Sequence, residues 1–88
     1  MSWVCKFDRR ALRELNKIDA QSKQQILAYL EERLTTDQDP RRFGKGLKAN
    51  LSGLWRYRVG SYRIICRIVD NELIVLVLAV GHRKAIYE

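Results

Sequence analysis

The sequence is poor in several residues that carry chemistry or architecture: one proline, one histidine, one methionine and two cysteines. Cys5 and Cys66 lie inside apolar runs, in no metal-ligand spacing, and one pair makes no disulfide framework, so both read as buried thiols. The longest apolar run, Leu73 to Val80, is far too short for a bilayer. The opening MSWVCKFDRR holds no stretch of signal-peptide length, and the expectation is a soluble cytoplasmic protein that uses no membrane. No glycine-rich phosphate loop precedes a helix; Gly44 and Gly46 lack the strand and helix of a nucleotide fingerprint. Without linker, repeat or low-complexity tract, residues 1–88 read as one domain with a single core and modest stability.

Carboxylates are scarce in one half only. Residues 1–40 hold seven Lys/Arg against seven Asp/Glu, while residues 41–88 hold ten against three, so the net charge of +7 belongs to the second half. An anionic partner is the first suspect.

Ser2–Phe7 reads as a first strand. Asp8 then caps a helix with Ala11, Leu12, Leu15 and Ile18 on its apolar stripe, and Asp19 caps a second with Ile26, Leu27, Leu30 and Leu34. The segment TTDQDPRRFGKGLKANLSG reads as a loop, basic through Arg41, Arg42, Lys45 and Lys48. From Leu54 the period becomes two, with turns at Gly60-Ser61 and Asp70-Asn71. The fold class expected is α+β: an N-terminal strand, an α-hairpin, then a three-stranded antiparallel meander packed on the helices.

A Gly60-Ser61 turn pairs Val59 with Tyr62, Arg58 with Arg63, Tyr57 with Ile64 and Trp55 with Cys66. Trp55, Tyr57, Val59, Tyr62, Ile64, Cys66 and Ile68 then face the helices, and Arg56, Arg58, Arg63 and Arg67 face away. Arginines opposite one another destabilise a sheet by roughly 0.2–1 kcal/mol. With no Asp or Glu interleaved, that face is better suited to binding an anion than to keeping the chain soluble. Continuing through Asp70-Asn71 pairs Ile68 with Leu73, Cys66 with Val75, Ile64 with Val77 and Tyr62 with Ala79. Gly81 then lies beside Gly60, and His82, Arg83 and Tyr87 can approach the arginines. The guanidinium fork matches phosphate oxygens and stabilises charge developing in phosphodiester cleavage. His82 can exchange a proton near neutrality, though a capping or surface histidine is an equal reading, and Tyr87 can stack on a base or anchor the C-terminus. Such a nuclease works without metal or other cofactor, by attack of an RNA 2′-hydroxyl on the adjacent phosphate. Cys66, on the core face, is no nucleophile.

The order strand, FDxxAxxxLxKI helix, second helix, D-P loop into GKGL, then LWRYRVGSYRIICRI and GHRKAIY, closely resembles the RelE/ParE superfamily of bacterial toxin–antitoxin toxins over nearly the whole chain. GHRKAIY favours the RelE branch. The resemblance implies a microbial-RNase-like fold, mRNA cleavage in the A site of the 70S ribosome, growth inhibition, and a RelB-like antitoxin that wraps the toxin. It places the phosphate-stabilising arginine at Arg63, the C-terminal arginine at Arg83 and the nucleotide-stacking tyrosine at Tyr87. Arg58 and His82 complete the catalytic candidates; Arg56, Arg67, Arg41, Arg42, Lys45, Lys48 and Lys84 are the RNA-binding ones. Where well-studied ribosome-dependent members carry two strand lysines, this chain has Arg56 and Arg58, and arginine is a poor general base. The resemblance also implies an alternative, a ParE-like poison of DNA gyrase without chemistry; a basic nucleic-acid-binding module would use the same arginines. Self-repulsion at +7 favours a monomer when unbound.

Overall fold

A computed structural model describes residues 2–82. Val4–Phe7 forms β1, with Cys5 and Phe7 turned to the core and Val4 and Lys6 outward. Asp8 ends the strand and starts the next element: its carboxylate accepts from the Ala11 N–H at 2.8 Å, capping helix α1 (Arg9–Lys17). Asp19 repeats the device for α2 (Ala20–Tyr29), accepting from the Ser22 N–H at 2.9 Å. Both caps fall where the sequence puts them.

The apolar stripes are narrower than expected. Ala11 and Leu15 are buried, as are Ile26, Leu30 and Leu34, but Leu12 is 48% exposed and Leu27 40%. The cause in α2 is a π turn over Leu30–Leu34, closed by the Thr35 N–H and hydroxyl on the Leu30 carbonyl. A turn one residue wider than α brings Leu34 back into line with Ile26 and Leu30, leaving Leu27 on the flank.

The segment read as a loop contains structure. A 3₁₀ turn over Pro40–Phe43, capped by Asp39, leads into a two-residue strand, β2 (Lys45–Gly46). A second 3₁₀ turn (Ala49–Leu51) precedes β3 (Leu54–Val59), followed by β4 (Tyr62–Val69) and β5 (Ile74–His82). The sheet order is β1-β5-β4-β3-β2, with β1 parallel to β5 and every other pair antiparallel. The α+β class and the meander hold, and the sheet is mixed and five-stranded. Among the described residues no helix is long and apolar enough to cross a membrane.

The β3–β4 register matches the expected one at every pair. The β4–β5 register does not. Asp70–Glu72 form a 3₁₀ turn with Leu73 at φ 55, so Val69 faces Ile74 and the pairing is displaced by two residues. A bulge follows: Cys66 faces Val77 and Ile65 faces Ala79, leaving Leu78 as the extra residue. The reason is burial on both sides. Ile64, Ile65, Cys66, Val75, Val77 and Ala79 are all fully buried, so these strands have no apolar/polar alternation from which to read a register.

Both helices pack on one sheet face, over Tyr57, Val59, Ile64, Cys66, Val75, Val77 and Val80. Strand β1 pairs with β5 only as far as Val77; beyond it the Val80 N–H donates to the Glu14 carboxylate of α1 at 2.8 Å. On the other face Ile65 and Ala79 form a second, small core with Leu47 and Leu54. The arginine side of the sheet is therefore partly roofed by the 47–54 segment, and this roof shapes the site.

Candidate functional site

Gly60, at φ 59, supplies the left-handed residue that a tight hairpin needs, and the closed turn sets Arg58 directly opposite Arg63. Arg56 lies opposite Ile65 on one side and Lys45 of β2 on the other. Paired residues share a face, so Lys45 joins the arginines. A cleft of about 350 Å³ opens here, with Lys45, Lys48, Arg56 and Arg63 as its cations and Leu47 and Leu51 in its wall. Among the described residues no carboxylate lines it. Arg63 is only 5% exposed, Arg56 is half-buried and Arg58 is exposed. A buried guanidinium beside other cations acts through a low-dielectric surround, which strengthens its pull on a phosphate.

The loop is strapped to the sheet from its inner side. The buried Tyr57 hydroxyl donates to the Pro40 carbonyl at 2.8 Å, and burial pushes the Tyr57 phenol well above its ordinary range, so it stays protonated as a donor. Gly44 passes so close that a Cβ there would sit 2.9 Å from the Tyr57 ring. Arg41 forms a fork to Asp70 at 3.0 and 2.6 Å, also reaches Asp39 at 3.2 Å, and lies over the Trp55 ring at 5.8 Å. Asp39 and Asp70 carried no functional signal in the sequence beyond their places beside Pro40 and Asn71; the clamp exists only because the β4–β5 turn lies beside the 3₁₀ turn.

Of the RNA-binding candidates, Lys45, Lys48 and Arg56 line the cleft. Arg41 takes part in the clamp. Arg42 hydrogen-bonds Gln38 and lies over the Phe43 ring. Arg67 is exposed opposite Leu54 and Leu76, four residues along β4 from Arg63. The position of His82 is a correction. The displaced register and the bulge put it opposite Tyr62, whose ring its own meets edge-on with centroids 5.8 Å apart, and Tyr62 packs on the helix-side core. The chain's only histidine thus shares a face with the helices and not with Arg63. Arg83, Lys84 and Tyr87 lie outside the described residues. Cys66 is fully buried and its thiol is pushed up by burial, as its parity implies.

The clamp carries a pH sign. Arg41 holds the Asp70 carboxyl below the usual carboxylate range, so the pair contributes above the ordinary Asp pKa of about 3.9 and is lost as pH falls through the lowered value. Asp70→Asn is expected to raise amide exchange over residues 40–48 at neutral pH with little change in melting temperature, as for an exposed pair. The charge swap Arg41→Asp with Asp70→Arg should restore protection; exchange that the single and double variants leave unmoved would show the pair to be ornamental.

A five-stranded sheet with two helices on one face and a cationic cleft on the other defines a small basic α+β protein. Residues 5–87 match the family model for the ParE toxin of type II toxin–antitoxin system, parDE. The chain is 36% identical to Toxin RelG of Mycobacterium tuberculosis over 99% of its length and 98% of that protein's. It is 30% identical to the mRNA interferase toxin RelE of Escherichia coli K12, over 96% of this chain and 86% of that one. The toxin-antitoxin complex RelBE2 of M. tuberculosis contains a chain that superposes with a TM-score of 0.84 at 30% identity, covering 93% of this chain and 92% of that one. An arginine-to-alanine double mutant of E. coli RelE in the free state superposes at 0.77 and 27% identity, covering 98% and 88%. This chain belongs to the RelE/ParE family of type II toxin–antitoxin toxins and has the RelE-like fold.

Proposed function

We propose that this toxin is a ribosome-dependent mRNA endoribonuclease that cuts in the A site and so stops translation and growth. The observation that carries the reading is the cleft itself: Arg63 buried at its floor, Arg56, Lys45 and Lys48 around it, Arg58 at its margin, and, among the described residues, no carboxylate in its lining. In the step proposed, the 2′-oxygen attacks the adjacent phosphorus while its proton passes to solvent water. The P–O5′ bond then breaks and the 5′-oxygen takes up a proton, giving a 2′,3′-cyclic phosphate and a free 5′-hydroxyl. Arg63 and Arg56 neutralise the extra negative charge on the phosphoryl oxygens of the transition state. Arg83 and Tyr87, by family resemblance, assist the leaving group and stack on the nucleotide. The name of the E. coli relative, an mRNA interferase, supports the activity.

Relatives crystallised with RelB antitoxins support a RelB-like partner here. Leu12 and Leu27, exposed on the helices, are apolar surface that such a partner would cover. The cytoplasm, where messages are translated, is the compartment this reading requires.

Brief induction without antitoxin, followed by primer extension on an abundant message, tests the reading. Cuts within codons should appear and should vanish when the message is made untranslatable. Intact message in cells that nevertheless stop growing would transfer the case to a gyrase-type target, the alternative that resemblance to the ParE branch implies.

A further inference from the structure

Tyr57 stands on the wrong side of the sheet to touch the cleft. It alternates with Arg56 and Arg58 along β3, is fully buried, and packs in the helix-side core. A core position by itself has no need of a hydroxyl, which loses hydration on burial. Tyr57 directs its hydroxyl away from the core residues and onto the basic loop, where the Pro40 carbonyl accepts at 2.8 Å.

That bond lies close to the cleft along the chain. Lys45 pairs with Arg56 and shares its face, so Gly44, the residue before it, falls on the face of Tyr57. A Cβ at Gly44 would sit 2.9 Å from the Tyr57 ring, so the ring closes directly over the glycine backbone. The chain thus passes from the Pro40 carbonyl under the Tyr57 ring, and between Gly44 and Lys45 it changes from the helix face to the cleft face. Strand β2 is an edge strand of only two residues, too short to hold itself in place. Among the described residues the Lys45 side chain forms no hydrogen bond or ion pair, so its ammonium goes where the backbone carries it.

The ring is itself backed by the helices. Tyr29 of α2 meets it with centroids 6.3 Å apart, and Arg33 lies over both Tyr29, at 5.5 Å, and Phe43, at 5.6 Å. The Arg41–Asp70 clamp holds the same loop from outside but is exposed, where ion pairs contribute little. The buried hydrogen bond is the firmer of the two. We infer that Tyr57 is a positioning residue for phosphate binding: acting through Pro40 and Gly44, it holds Lys45 in the cleft from the opposite face of the sheet. The inference rests on the proposed ribosomal activity for the identity of the anion, the phosphate backbone of the message.

The test is a double-variant cycle in the full-length chain. Tyr57→Phe removes the hydroxyl and keeps the ring, and Lys45→Gln removes the cation. Binding of a short single-stranded oligoribonucleotide is measured against salt, and cleavage of message on programmed 70S ribosomes is measured as kcat and KM. Tyr57→Phe should raise KM about five- to tenfold with kcat within about twofold, the pattern of a lost ground-state contact. It should also flatten the log K against log salt slope by about 0.7, the share of one phosphate on a single strand. Lys45→Gln should do the same, and the double variant should be no worse than either alone, as for two residues acting through one contact. Gly44→Ala, which pushes the loop off the ring, should reproduce the Tyr57→Phe values. Val75→Ala, in the same core but two strands away from β3, should lower the melting temperature and leave KM and slope unmoved. Multiplied effects in the double variant would overturn the inference. So would an equal loss of affinity in Val75→Ala, which would make Tyr57 an ordinary core residue. Message left uncut by the wild type, with the cycle still non-additive on the oligoribonucleotide, would overturn the ribosomal reading and uphold the role of Tyr57; a wild type that neither cuts nor binds would overturn both.

Discussion

Arg63→Lys is expected to slow message cleavage by about 10²–10³-fold, the usual cost of removing one donor aimed at developing oxyanion charge, and to relieve growth inhibition. Lysine keeps the charge and most of the aliphatic stem but loses the fork that, in the proposed reaction, would grip two phosphoryl oxygens. The choice of lysine follows from burial. Arg63 is 5% exposed beneath the 47–54 segment, so alanine would also remove packing, and a loss of toxicity could then come from a loosened fold. Primer-extension rates on a translated message, beside a thermal melt by circular dichroism, separate the two. A melt within a few degrees of wild type with cleavage gone assigns Arg63 to the reaction. Undiminished toxicity in the folded variant would remove this cleft from the mechanism.

Ile65→Ala should be the most damaging single truncation on the cleft side. Ile65 is fully buried and packs with Ala79 against Leu47 and Leu54, and that contact seats the segment carrying Lys48 and Leu51. A buried Ile→Ala change costs about 2–4 kcal/mol, which in a domain of this size lowers the melting temperature by about 10–25 °C. The comparison that matters is Ile64→Ala, one residue away and equally buried but facing the helices. Both should lower stability by similar amounts. Only Ile65→Ala should speed hydrogen exchange selectively over residues 47–54 and lower residual cleavage measured at a temperature where both variants are folded. Equal exchange in the two variants would mean that the small core does not hold the roof.

Much of this was legible in the chain before folding. Asp8 and Asp19 announce their helices because a carboxylate before an amphipathic run has one structural use, to take up orphan amides. The β3–β4 hairpin was legible to the residue, because Gly60 specifies a two-residue turn and β3 alternates apolar residues with arginines, so a register slip would turn core residues outward. The pairing of Arg58 with Arg63 follows from that, and with it the basic face.

Other features were not legible, for reasons that are equally physical. The run Ile74–Val80 is apolar at every position, so nothing in it distinguishes one register from another. The Leu73 conformation and the Leu78 bulge settle the matter, and they carry His82 to the side of Tyr62. Arg41 and Asp70 are 29 residues apart, and only the placing of two turns side by side makes them partners. Local spacing and turn chemistry in the sequence determined the elements, the hairpin and its arginines, because those depend on neighbours along the chain. The tertiary structure alone decided what roofs the cleft, where the histidine goes and which cations line the cleft, because those depend on pairings between segments that no local pattern encodes.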